Sequence, residues 1–117
     1  MASKEVLLEV LKMIESLEKD WDGCNSPKFS KKICDDVKDI INFFPYCAFY
    51  CNPWIFPSLG GKGLNLELGK NNKKIEIKIL KNKIEYIKKE NDNEVEKNIF
   101  LIEEKEIKEL IEWLIGD

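Results

Sequence analysis

The chain has 117 residues, 44% of them hydrophobic and 35% charged, with a formal net charge of −3. That length fits one domain, residues 1–117, able to bury a core without disulfide or metal staples. Its cations are all lysine, with no arginine and no histidine. This composition excludes imidazole acid–base chemistry, histidine-bound metals and bidentate guanidinium contacts.

The N-terminal stretch MASKEVLLEVLKMIESLEKD interleaves acids with apolar residues. It lacks the basic start and continuous apolar centre of a signal peptide. Within residues 4 to 19, Val6, Leu7, Val10, Leu11, Ile14 and Leu17 recur at helical spacing, with Ser3 as N-cap and Glu5 in the first turn. A second helix is expected from an N-cap at Ser30, with Phe29 and Cys34 as a hydrophobic staple. Its stripe is Ile33, Val37, Ile40, Ile41 and Phe44, and Pro45 ends it.

Residues 46 to 63 are aromatic and punctuated by proline. A short strand is expected near Ala48 to Tyr50. Trp54-Ile55-Phe56, bracketed by Pro53 and Pro57, reads as an edge strand. Gly60, Gly61 and Gly63 read as a turn. The period then becomes two. Leu64, Leu66 and Leu68, then Ile75, Ile77 and Ile79, alternate with polar residues, as in half-buried strands. Residues 69–73, 81–83 and 91–93 read as turns between strands, with further strands at 84–88 and 95–101. A last helix spans 103 to 115, carrying Ile107, Leu110, Ile111 and Leu114, with Trp113 beside the stripe. The expected fold is a two-layer α+β domain: two N-terminal helices, an antiparallel meander of four to five strands, and a C-terminal helix.

Four cysteines, Cys24, Cys34, Cys47 and Cys51, lack CxxC spacing. They are expected as reduced thiols, with no metal and no cofactor bound. No apolar run approaches the roughly 20 residues of a membrane span. The expected location is cytoplasmic, with no membrane partner.

The turn Asp20-Trp21-Asp22-Gly23 follows the first helix. Two acids in a turn without a third ligand make a poor metal or acid–base site. Trp21 is expected as a buried clasp between the first two helices, with Gly23 supplying the backbone freedom of the corner. The string Trp21-Asp22-Gly23, Pro27, Pro53-x-Ile55-x-Pro57 and Gly60-Gly61-x-Gly63-Leu64-x-Leu66-Glu67 resembles a widespread set of small bacterial proteins. These share a "WDG" turn, a P-x-I-x-P segment and a glycine turn before a β-meander. They are largely uncharacterised and often encoded near mobile elements or defence and toxin–antitoxin genes. The resemblance covers roughly residues 17 to 90 and implies fold and genetic setting, not an activity. Leu68 departs from the pattern, standing where those proteins commonly carry tryptophan. If that tryptophan lines a shared binding surface, this chain lacks that part of it.

Two surfaces are candidates for partner binding. Tyr46, Phe49, Tyr50, Trp54 and Phe56 exceed what a core needs at one helix end, and interfaces are enriched in such residues. Lys74, Lys78, Lys81 and Lys83 belong to a lysine-rich stretch over 69–89. It suits an acidic protein or a phosphate backbone, or else is a solvated strand face. Glutamates after residue 89 polarise the chain and suit either solvation or mimicry of a nucleic-acid backbone. The expected function is a small non-enzymatic protein-binding module. Its setting would be a mobile-element accessory: an anti-CRISPR-like inhibitor of a defence nuclease, or an antitoxin-like binder. The alternative is a nucleic-acid-binding module using the lysine hairpins.

Overall fold

A computed structural model describes residues 3–24, 26–58 and 62–116. The elements run α1 (Lys4–Glu15), α2 (Lys31–Phe43), a short 3-10 helix (Tyr46–Tyr50), β1 (Trp54–Pro57), β2 (Gly63–Lys70), β3 (Lys73–Leu80), β4 (Ile84–Glu90), β5 (Asn93–Ile99) and α3 (Glu104–Ile115). The five strands form one antiparallel sheet in the order β1-β2-β3-β4-β5. The fold is α+β, as the alternation of helical and two-residue periods implies.

The first two helices start where the sequence provides an oxygen. Ser3 accepts a hydrogen bond from the Val6 amide, and Ser30 accepts one from Ile33. Their apolar stripes then meet one another and the sheet. Leu7, Leu11 and Ile14 of α1 are buried with Ile33, Val37, Ile40 and Ile41 of α2. Ile107, Leu110, Ile111 and Leu114 of α3 join the same core. The sheet contributes Leu64, Leu66 and Leu68 of β2 and Ile75, Ile77 and Ile79 of β3, none more than 1% exposed. Alternation fixes the rest. Asn65, Glu67, Lys74, Glu76, Lys78 and Lys89 lie on the opposite face, which none of the described helices covers.

Several expectations need correction. α1 ends at Glu15, a turn before residue 19. Ser16 Oγ donates to the Met13 carbonyl, and Lys28 Nζ donates to the carbonyls of Glu15 and Leu17. These bonds satisfy carbonyls that another helical turn would have used. Residues 48–50 form no strand. Ala48 N–H donates to Pro45 and Cys51 N–H to Ala48, closing 3-10 turns. Gly63 is not a turn residue but opens β2. A Cβ there would collide with the Ile79 carbonyl oxygen, so glycine is required by the strand beside it. Gly60 and Gly61 lie outside the described residues. Leu68 faces the core, so a tryptophan there would enlarge the core rather than line an open surface.

The tight turns use asparagine in the left-handed region. Asn91 and Asp92 have φ of 53° and 65°, the two positive values of a type I′ hairpin. Asn71 has φ 56°. No helix among the described residues is long and apolar enough to cross a membrane.

Candidate functional site

The expected aromatic residues divide between surface and core. Pro45 and the 3-10 turns set the division. Phe49 turns inward, 8% exposed, with its ring edge-on to Phe44 at 5.8 Å. It is core and unavailable to a partner. Tyr46 and Tyr50 turn outward, 76% and 58% exposed. Their rings lie 5.5 Å apart, and the Tyr50 hydroxyl donates to the Tyr46 hydroxyl at 3.3 Å. That bond holds the Tyr50 proton, raising its pKa.

Asn52, at φ 52°, then turns the chain into β1. Strand alternation buries Ile55 and sends Trp54 and Phe56 to the face opposite the helices. Trp54 stands opposite Glu67, and Phe56 opposite Asn65. Trp54 remains 47% exposed. Beside these rings lies a recess of about 850 Å3. Tyr50, Trp54 and Phe56 form its aromatic side; Glu67, Lys74 and Lys89 stand on the other. Gly69 leaves room between them, since its missing Cβ would meet little but the Lys73 carbonyl.

The lysine-rich stretch is largely occupied by the protein's own acceptors. Lys74 Nζ is 2.8 Å from Glu67, a hydrogen bond that raises the lysine pKa. Lys89 is 2.8 Å from Glu76, and Lys88 is 3.0 Å from Glu96. Lys73 donates to the carbonyls of Trp113 and Gly116 at the end of α3. Lys78 faces the open sheet, half-buried, away from the recess. Lys81 and Lys83 are exposed in the β3–β4 turn, at the opposite end of the sheet from Trp54. The four candidate lysines therefore do not form one surface, and only Lys74 joins the aromatic recess.

Trp21 is half-buried rather than buried. Its indole Nε1 donates to the Pro27 carbonyl at 3.1 Å, and its ring lies 5.2 Å from Phe29. It therefore clasps the loop to Pro27 and Phe29, ahead of the α2 cap, while its body packs against the edge of the core. Gly23 has φ 75°, in accord with its expected freedom. Asp22 Oδ1 accepts the amides of Cys24 and Ser26, and Oδ2 accepts the Ser26 hydroxyl at 2.6 Å. The Ser26 hydroxyl, then the Cys24 amide, hold this carboxyl below its ordinary pKa. Asp22 is thus occupied as the loop's acceptor.

All four cysteines are free thiols. Burial pushes Cys34 up to about 11 and raises Cys51 as well, so both stay protonated and core-like. Among the described residues, no three of His, Cys, Asp and Glu converge as metal ligands do.

Sequence reasoning missed Glu67, Gly69 and Lys89 as parts of the recess. The period-two pattern places Glu67 on the wet face, while Gly69 is expected in a turn and Lys89 past a strand end; strand register brings them to one recess. Compared with models of protein families, with curated proteins and with solved structures, the chain matches none.

Proposed function

We propose that this chain is a non-enzymatic protein-binding module whose partner docks on Tyr46, Tyr50 and Trp54. One observation carries the reading: three large aromatic side chains on one edge stay 47–76% exposed beside an open recess. Clustered exposed aromatics suit an interface, where such side chains contribute most of the affinity. Lys74 is paired with Glu67 and Lys89 with Glu76, so this part of the recess favours an apolar or aromatic anchor ringed by hydrogen-bonding groups. Inhibition or modulation of a nuclease or toxin in a mobile-element setting is supported by the Trp21-Asp22-Gly23 and Pro53-x-Ile55-x-Pro57 resemblance alone. A cytoplasmic location is supported by the four free thiols, which persist in a reducing compartment.

The nucleic-acid alternative has less support, because Lys73, Lys74, Lys88 and Lys89 already satisfy internal acceptors. The test is capture of a partner from the native host by wild type and by Tyr50→Ser with Trp54→Ser. The double variant is expected to keep its melting temperature and lose the partner. Undiminished capture by a folded double variant would refute the aromatic interface. A capture that collapses with added salt and depends on nucleic acid would favour the alternative.

A further inference from the structure

The far end of the sheet carries a second surface, formed by residues distant in sequence. After β5, Phe100 turns into the core at 3% exposure, and its amide donates to the Ile84 carbonyl at 2.8 Å. That anchor leaves the residues on either side of it outside. Ile99 and Leu101 are 66% and 55% exposed. They flank a cleft of about 580 Å3, with half-buried Ile84 and Ile102 also lining it. Single exposed aliphatics need no explanation, but two beside an apolar-lined recess form a patch.

The rim of this cleft is cationic on one side. Lys81 and Lys83, in the β3–β4 turn, both line it, beside Lys32 and Asp36 of α2, which neutralise each other at 2.9 Å. Lys81 makes no ion pair among the described residues, and Lys83 has only a loose one, 3.7 Å from Glu85. Beyond Leu101 and Ile102 come Glu103 and Glu104, both exposed, with the Glu103 amide donating to the Leu101 carbonyl. An anionic bilayer laid on Leu101 would meet these glutamates. A narrow segment that puts carboxylates only toward Lys81 and Lys83 would not.

From this juxtaposition we infer that the cleft between Lys81–Lys83 and Ile99–Leu101 docks a protein segment that is apolar on one face and acidic on one flank. This surface is separate from the aromatic recess, which lies toward the β2–β3 turn. The charge arrangement assigns the partner's polarity: leucine-like side chains seat against Ile99 and Leu101, and carboxylates meet the two ammonium groups.

The test uses the isotopically labelled full chain and two synthetic amphipathic peptides. One pairs leucine with glutamate, and the other pairs leucine with lysine. The acidic peptide is expected to shift amide resonances of residues 81–84 and 99–102, and the basic one to leave them in place. Lys81→Glu with Lys83→Glu, and separately Ile99→Ser with Leu101→Ser, should each weaken binding at least about tenfold. Both pairs are exposed, so melting temperatures should hold. Trp54→Ser should leave this binding unchanged, which separates it from the aromatic site. Three results would overturn the inference: no shift at these residues, equal binding of both peptides, or a response to anionic-lipid vesicles without one to the acidic peptide.

Discussion

Lys73 holds the end of the helix that carries Trp113: its ammonium donates to the Trp113 carbonyl at 3.0 Å and lies 5.1 Å from the centre of that ring. The Gly116 carbonyl accepts from the same nitrogen at 2.8 Å. α3 has no basic residue of its own in its last turn. A lysine 40 residues earlier in the chain supplies the charge that its terminal carbonyls attract. Lys88 approaches the same indole at 5.3 Å, giving Trp113 two cations. Lys73→Met keeps the aliphatic stem but removes the donor and the charge. The expected loss is about 1–2 kcal/mol, read from urea midpoints. A midpoint equal to wild type would show that the cap contributes nothing.

Tyr86 and Glu96 make the fold sensitive to pH at both extremes. The Tyr86 hydroxyl donates to Glu96 Oε1 at 2.8 Å, while Lys88 holds Oε2. The Tyr86 bond and then the Lys88 bond hold Glu96 below its ordinary value of 4.5. Its contribution is present above that value and is lost as pH falls through the lowered one. Burial, then the Glu96 bond, pushes Tyr86 from 10.0 up to about 12. Its contribution is present below pH 10 and is lost as pH rises through the raised value. Tyr86→Phe should be less stable than wild type at neutral pH by about 1 kcal/mol, the exposed carboxylate being partly screened. The gap should close both below pH 4.5 and above pH 10. Denaturant midpoints for both proteins across pH decide this, and a gap constant with pH would count against it.

The half-burial of Trp21 sets the scale of its own removal. Full burial of a tryptophan would make truncation cost about 3–5 kcal/mol. Here roughly half of that, about 2 kcal/mol, is expected for Trp21→Ala. Trp21→Phe keeps a ring against Phe29 but forfeits the Nε1 bond to Pro27, and should cost about 1 kcal/mol. Calorimetric melting of the three proteins should rank them wild type, Phe, Ala. If Phe and Ala melt together, the ring contact contributes nothing and the loop is held by Asp22.

What the sequence disclosed follows from the range of its signals. The stripes of α2 and α3 and the alternation of β2 and β3 are local patterns, and burial at Ile40, Leu66, Ile77 and Ile111 follows them. The 3-10 helix was hidden because Ala48, Phe49 and Cys51 are buried in an order that fits neither period. Phe49 and Tyr50 are neighbours of similar chemistry, and only the Phe44 ring decides which goes inside. The roles of Lys28 and Lys73 were equally hidden, since each caps a helix to which it does not belong. The recess depends on strand register, which places Glu67 opposite Trp54 and is not encoded by either residue alone.

The open face of the sheet has a bearing on how the chain finds its pairing. Glu67 stands directly opposite Glu76, and Lys74 opposite Lys89, so these four charges meet their opposites on the diagonal. Sliding β3 along β2 by two residues would put Glu67 opposite Lys74 or Lys78 and would keep every leucine and isoleucine on the core side. Neither hydrophobic parity nor charge therefore rejects the slid hairpin. What favours the native pairing is the fit of Gly63 under the Ile79 carbonyl and the seam at the turns. Asn72 donates to the Asn91 side chain at 3.1 Å, and its own carbonyl accepts the Asn91 amide at 2.9 Å. One of the two slides would also carry Lys73 into the turn and away from α3. A defect at Asn72 would thus yield a compact but mispaired sheet rather than an unfolded chain. Its signature would be amide contacts linking Leu68 to Ile77 in place of Ile75, and the surface that carries Trp54 would be assembled against the wrong neighbours.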